Sequence, residues 1–429
     1  MTVDNQADSA AQNHPPSGGP TAQNEIQGEL LATVRLLAGE IGARPSAGEG
    51  ERKAAAFVID RLRHAGYEVE LEPFEGLTTF SWTYAPLYGA LALAGWLGPR
   101  RPALGAVLGL GAFGAFLAES LGFEVASRLP FLPHDRSQNV VARLPLPESD
   151  GSPPERRVIL VAHLDTARSA LLFHPRLVRG FRASYVGLTA AMATVALGNL
   201  VRWIQGPRRQ DPEGLDRATQ AAGGALLFPL ALLVQREAAM PVVAGANDNA
   251  SGVAVVLAAA ERLAAALQGA LEQKAELWVV FTGCEESGLG GMQRFLEAHA
   301  DELDPATTLF INVDNVGAGM LTLVNQEGTL WPLLADSELL DAATRMALRR
   351  GLHFQTRGYH TLPTDAQVPL SRGYRALSLM AFDEHGALPN WHWRTDTPDA
   401  IDVTTMESAL DLLIRTVRRL AAGPGRRIG

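Results

Sequence analysis

Three short apolar runs each stop at a residue that can carry chemistry, and this constrains the fold more than anything else in the chain. Arg157–Ala162 runs into His163-Leu164-Asp165, Glu276–Thr282 into Gly283-Cys284-Glu285-Glu286, and Thr308–Val313 into Asp314-Asn315. Apolar runs of this length read as buried strands. Further strands are expected at Glu68–Glu72, Asn139–Leu144 and Ala376–Phe382. Helices are expected near Glu25–Leu37, Glu51–Ala65 and Val253–Ala266, and again after Glu286 and Asp402. This alternation predicts an α/β fold, a mixed, largely parallel β-sheet sandwiched by helices. Sheets of that kind present their functional residues at the carboxyl edge of the strands.

The 429 residues suffice for one large domain or two ordinary ones. Lysine and arginine number 37 against 46 aspartates and glutamates, a net charge of −9, which argues against a general nucleic-acid binder. The single cysteine, Cys284, allows no intrachain disulfide. Residues 1–24, rich in Ser, Gly, Pro, Gln and Asn, read as a disordered tail. No basic patch followed by an apolar run occurs there, so no cleavable signal is expected.

Each polar cluster also has a bland explanation. His163 suits a metal as neutral imidazole, with Asp165 placed to bond its other ring nitrogen, but His-x-Asp is common by chance. Asp248, in Gly245-Ala246-Asn247-Asp248-Asn249-Ala250-Ser251-Gly252, could be no more than a helix N-cap. Glu285 and Glu286 repel each other unless a cation, a shared proton or water offsets it. Asp314 ends an apolar strand. His392 lies between Trp391 and Trp393, as a packed histidine would, and competes with His360 and His385 for a role.

Taken in order, His-x-Asp, Gly-Ala-x-Asp-Asn-x-Ser-Gly, Glu-Glu-x-Gly, Asp-Asn and His-x-x-x-Asp-Thr resemble the family-28 metallopeptidases, which include di-zinc leucyl aminopeptidases and glutamate carboxypeptidases. The resemblance implies the zinc-exopeptidase (phosphorylase/hydrolase-like) fold over residues 25–429. It implies two Zn²⁺ ions, with His163 and His392 as their terminal ligands and Asp248 bridging. Glu286 would complete one site and Asp314 the other, in either pairing. Glu285 would be the general base and Asp165 the support of His163. Two such ions can activate a shared water, and the set also suits Mn²⁺ or Co²⁺. The implied activity is that of an aminopeptidase on a peptide or small amide. Glutaminyl cyclisation, carboxypeptidase action and a non-catalytic receptor-like scaffold are the alternatives. Where many members have Ser-Asp-His, this chain has Thr364-Asp365-Ala366, so any substrate contact from that histidine is lost. Trp391, Trp393 and Phe382 could line an apolar pocket, with core packing the expected role of Phe382.

Two insertions, over 82–121 and 183–236, interrupt the domain. They hold four nearly pure apolar stretches, Trp82–Gly98, Ala103–Ala118, Tyr185–Val201 and Ala221–Val234, arranged as two hairpins. Their loops carry Pro99, Arg100 and Arg101, then Arg202, Pro207, Arg208 and Arg209. Trp82, Tyr84, Trp96, Tyr185 and Trp203 sit at the ends, as an interfacial belt would. Gly105, Gly109, Gly111 and Gly114 would allow close helix packing. Hairpins that span a lipid bilayer are therefore expected, although buried soluble helices would also fit stretches of this length. The expected location is the cell membrane, multi-pass. Arg176, Arg179 and Arg182 balance the loop arginines, so charge does not fix sidedness, and the lack of a signal tips it toward a cytoplasmic catalytic domain.

Overall fold

The computed structural model describes residues 20–145, 155–206, 212–267 and 275–422. Most of the expected tail (residues 1–19) and the loop residues Pro207, Arg208 and Arg209 lie outside them. The first helix, α1 (Pro20–Val34), starts before residue 24, where the tail was expected to end, and a π-helical turn (Arg35–Ile41) extends it. Then come α2 (Glu49–His64), β1 (Glu68–Leu77), α3 (Ser81–Leu97), α4 (Pro102–Ser120), β2 (His134–Arg143) and β3 (Arg156–His163). Three more helices follow, α5 (Phe181–Gln205), α6 (Pro212–Ala225) and α7 (Leu227–Ala239). The remainder is α8 (Gly252–Leu267), β4 (Ala275–Thr282), α9 (Gly290–Ala298), β5 (Thr308–Val313), β6 (Met320–Glu327), β7 (Leu333–Leu334), α10 (Ser337–Arg350), β8 (Phe354–Tyr359), α11 (Gln367–Ser371), β9 (Arg375–Phe382) and α12 (Val403–Ala421).

The strands form one sheet in the order β1-β2-β4-β3-β5-β9-β6-β7, with β8 also paired to β6. The four central strands β4, β3, β5 and β9 are parallel, while β1, β2 and the β6–β7 and β6–β9 pairs are antiparallel. The sheet is thus mixed, and parallel mainly at its centre. Both faces of that centre are covered, which is why the strands read as unbroken apolar runs. On β3, Val158, Leu160 and Ala162 face the layer of α1, α2, α8, α10 and α12, while Ile159 and Val161 face the α9 side. α12 presents Met406, Ala409, Leu410, Leu413, Val417 and Leu420 at helical spacing to the core. It is capped by the Asp402 carboxylate, which accepts from the Thr404 amide.

Helices α3–α7 pack on one another beside the sheet's carboxyl edge. The stretch expected as a single fourth helix is two, α6 and α7, joined at Leu226. Pro229 explains the break, because it has no N–H for the Ala225 carbonyl and its ring crowds that oxygen. Of the four glycines expected at close contacts, two are there. A Cβ on Gly105 would sit 2.8 Å from the Gly98 Cα, and one on Gly109 would sit 3.1 Å from the Ala196 Cα. Gly111 and Gly114 face open space instead. At the far end of this bundle the buried Arg202 donates to the Asp216 carboxylate (2.6 Å) and the Asn199 carbonyl oxygen (2.5 Å), and Asn199 donates to the Ala94 carbonyl (3.0 Å). This satisfies polar groups that would be costly to bury alone.

These helices differ from the core helices in what they leave exposed. In the most apolar 18-residue stretches of α4, of α5 with the turn before it, and of α6–α7, only 28 %, 28 % and 22 % of the residues are buried. The similarly apolar α8 segment is 78 % buried. Trp96, Val107, Trp203, Ile204 and Phe228 are each more than half exposed.

Candidate metal centre

Sheet register alone brings two expected residues together. Val161 of β3 pairs with Asn312 of β5, so two residues on His163 stands beside Asp314. On its other flank His163 pairs with Thr282, and the chain turns there into Gly283-Cys284-Glu285-Glu286. The segment before α8 delivers Asp248, and the loop after β9 delivers His392. His163, Asp248, Asp314 and His392 are all 5 % exposed or less.

Asp248 lies between the two imidazoles. Its Oδ1 is 3.2 Å from His163 Nε2 and its Oδ2 is 3.1 Å from His392 Nε2. Asp314 Oδ1 is 3.5 Å from His163 Nε2, and Glu286 Oε2 is 3.0 Å from His392 Nε2. Asp314 thus stands by His163 and Glu286 by His392, although donor atoms of His163, Asp248 and Glu286 also lie within 4.8 Å of one another. Glu285 stands with His163 and Asp314, their donor atoms within 4.8 Å of one another.

The geometry bears on the bland explanations as well. Asp248 is not the cap of α8, because Asn249 Oδ1 accepts from the Gly252 amide (3.0 Å) and leaves the Asp248 carboxylate to the histidines. The Glu285-Glu286 loop is not a solvated surface, since the Glu286 side chain is 5 % exposed. His392 is indeed packed, against Phe173 and Trp391 at ring-centroid distances of 4.5 and 4.4 Å, yet its Nε2 points at the carboxylates. Its φ of 51° and that of Asn315 (53°) are left-handed, a strain that clusters at functional sites. His360 instead bonds Gln326 and the Gly328 carbonyl, and His385 is half-exposed beside Glu384.

Asp165 does more than the sequence suggested. Its Oδ1 accepts from the Glu285 amide (3.1 Å), and its Oδ2 accepts from the Glu286 amide (3.1 Å) and the Ser46 hydroxyl (2.6 Å). His163 Nδ1 is 3.1 Å from the Asp165 main-chain carbonyl and 3.6 Å from its carboxylate. That contact leaves Nε2 to face Asp248 and Asp314.

Four contributors escaped the sequence. Asp396 accepts from the Asn247 and Asp248 amides (2.6 and 3.1 Å) and so fixes Asp248. The wholly buried Arg44 donates to the carbonyls of Leu164, Ala244 and Gly245. Glu51 accepts from the Ala47 and Cys284 amides and the Ser137 hydroxyl, and Ser46 holds Asp165. Only Asp396 lay inside a recognisable motif. The others come from the α1–α2 region, whose turn carries no chemical signature. Asp365 accepts from the Thr282 hydroxyl (2.5 Å) and steadies the end of β4.

Electrostatics shows what the cluster lacks. Burial pushes the Glu285 carboxyl well above its usual range. The His163 imidazole opposes this, but Glu286, Asp365 and Asp314 reinforce it. Burial also raises Glu286 and Asp314. For His392 burial acts downward, yet Glu286 and Asp248 outweigh it and lift the imidazole to about 9. The site thus draws positive charge, as protons or as cations. Its donors are imidazole nitrogen and carboxylate oxygen, a set suited to Zn²⁺. Glu286 Oε1 is buried and lacks a hydrogen-bond partner, which a cation would supply. The residues present therefore fit a metal.

The sequence from 234 to 417 matches the model of Peptidase family M28. Similar solved structures include an aminopeptidase from Aneurinibacillus sp. strain AM-1 (TM-score 0.55, 15 % identity, covering 94 % of this chain and 95 % of that one). A zinc aminopeptidase from Bacillus subtilis gives a TM-score of 0.51 at 14 % identity, covering 92 % and 95 %. A glutaminyl cyclase from Porphyromonas gingivalis gives 0.50 at 15 %, covering 92 % and 98 %. At such identities the likeness establishes the fold. No curated protein matches the sequence. The matched segment holds Asp248, Glu285, Glu286, Asp314 and His392, while His163 and Asp165 join them only through the sheet. Residues 234–417 thus match the model of Peptidase family M28, and the chain as a whole shares the fold of these aminopeptidase structures.

Proposed function

We propose that this protein is a membrane-embedded aminopeptidase working with two zinc ions. The observation that carries the reading is the carboxylate of Asp248, which turns one oxygen to each of two imidazoles. His163 and Asp314 would hold one ion, His392 and Glu286 the other, with Asp248 common to both. Two such ions lower the pKa of water and polarise a scissile carbonyl. Glu285 takes the proton from the attacking water and delivers it to the departing amine. Asp165 holds the Glu285 and Glu286 amides, so the base is kept in place rather than left on a mobile loop.

The exposure of α4, α5 and α6–α7 supports the membrane part. Residues this apolar and this uncovered are what lipid-facing helices present. The 17 residues of α3 and 19 of α4 rise about 26 and 28 Å, close to a hydrocarbon core of roughly 30 Å. Each hairpin leaves and re-enters at the sheet edge, so all the site residues stay on one side. Arginines flank both ends, so charge does not choose the side.

Metal analysis with a peptidase assay of the wild type and Glu285→Ala tests this reading. The variant keeps its zinc and loses turnover by at least about 100-fold; unchanged turnover would sink the mechanism. Product analysis with free-amine, N-blocked and N-terminal glutamine peptides separates aminopeptidase from carboxypeptidase and cyclase action.

A further inference from the structure

A cavity of about 960 Å³ opens from the metal centre into the helical bundle. Its floor is Asp248, Glu285, Glu286, Asp314 and His392. Its walls come from the insertions, with Tyr84 and Tyr88 on α3, Leu188 and Ala191 on α5, and Phe228 and Leu232 on α7. Pockets for small ligands run from about 300 to 1,000 Å³, so this one is large for a single amino-acid side chain.

Three features say what would fill it. First, loop residues such as Leu177, Leu362 and Pro363 complete a wall whose bundle side is helical, with backbone amides bonded within the helices. An extended peptide lying against that side would leave its own N–H and C=O groups without main-chain partners, at a cost that a hydrocarbon chain avoids. Second, the α5 residues lining the cavity run from Phe181 to Ala191. That is a rise of about 15 Å, half of a roughly 30 Å hydrocarbon core and so the depth of one leaflet. Third, three well-exposed apolar residues are among the lining, Phe228 on α7 at 71 %, and Leu177 and Leu171 in the segment before α5 at 59 % and 44 %. The lining is thus apolar on the loop side as well as on the bundle side.

We propose that the substrate is a lipid-like amide with a long hydrocarbon chain on one side of the scissile bond. The chain occupies this cavity and the amide meets the metal centre. The inference rests on the hydrolase and membrane readings above. The step is hydrolysis: water's oxygen bonds the carbonyl carbon, the C–N bond breaks, and the proton goes to nitrogen. The products are a carboxylic acid and an amine, one of them carrying the chain.

The full-length, zinc-loaded protein in nanodiscs tests this against N-acetyl- and N-dodecanoyl-leucine, leucine butylamide and dodecylamide, and tetraleucine. For at least one pair, kcat/KM for the long-chain member exceeds that of its short partner by tenfold or more. The two pairs show whether the chain lies on the acyl or the amine side. Gly187→Trp lowers that long-to-short ratio at least tenfold, because Gly187 lines the cavity and a Cβ there meets nothing within 4 Å. Ala225→Trp, across the cavity, does the same if the first variant fails to fold. Equal turnover of long and short members, or a preference for tetraleucine over both dodecyl probes, overturns the proposal alone. Failure to cleave any amide overturns it together with the hydrolase reading. A ratio untouched in both folded variants also overturns it.

Discussion

Replacing Asp165 by asparagine separates two roles that the sequence merges. The carboxylate accepts three hydrogen bonds, from the amides of Glu285 and Glu286 and the hydroxyl of Ser46. Asparagine keeps one acceptor oxygen and sets an NH₂ against the Glu286 amide, while the Ser46 hydroxyl can turn to accept from it. One buried N–H thus loses its partner and a charged acceptor becomes neutral, which costs about 2–4 kcal/mol. If the loop must recover its geometry in the transition state, kcat falls about 30- to 1,000-fold. His163 should keep its orientation, because its Nδ1 contact is with the Asp165 main-chain carbonyl, which the substitution leaves in place. Asp165→Asn is therefore expected to bind zinc like the wild type and to turn over slowly. Steady-state kinetics with saturating zinc, and zinc affinity by competition with a chelator, decide it. A 10- to 100-fold loss of zinc affinity with kcat restored by excess metal would refute the reasoning. It would return Asp165 to a support of the histidine.

Two further substitutions test the surroundings of the site. Gly111→Arg places a cation at the middle of α4, where a Cβ meets open space. In lipid it should cost about 2.5–3.5 kcal/mol and lower the fraction resisting carbonate extraction; in water, replacing an exposed helical glycine should instead stabilise by up to about 1 kcal/mol. A raised Tm in detergent-free buffer would thus refute the membrane reading. His299 is held between Glu72 (2.7 Å) and Glu302 (3.1 Å), and although burial acts downward, these carboxylates raise its pKa. The stability this gives is full below the unfolded imidazole's value near 6.5 and is lost as pH rises through the higher folded value. His299→Gln should flatten the fall in Tm across that window, and an unchanged slope would remove His299 as its source.

The parts of the fold that were legible were those with strong local signals. β3, β4 and β5 are apolar runs buried on both faces, and their ends were placed to within one residue. β6, β7 and β8 escaped notice. β8 (Phe354–Tyr359) is half-exposed and polar at several positions, and β7 is two residues long. α10 hides its core face behind alanines, Ala342, Ala343 and Ala347, which carry little apolar contrast. Phe382 lies in the core as expected. Of the two tryptophans, Trp391 lines the cavity, while Trp393 packs on His174.

The sequence by itself determined the chemistry offered. The histidines and carboxylates are recognisable because each ends a strand or opens a helix, and local chain pattern encodes such ends. It also marked the apolar stretches that lie in α3, α4, α5 and across α6–α7. Tertiary structure decided which groups meet, because that depends on register and on loops distant in sequence. The Val161–Asn312 pairing puts Asp314 with His163, and the loop after β9 brings His392 to Glu286. Tertiary structure also decided that Asn249, rather than Asp248, caps α8, and that Asp165 grips the loop of the base. The cavity between site and bundle exists only where five helices and the sheet edge leave space, a volume that no single segment encodes.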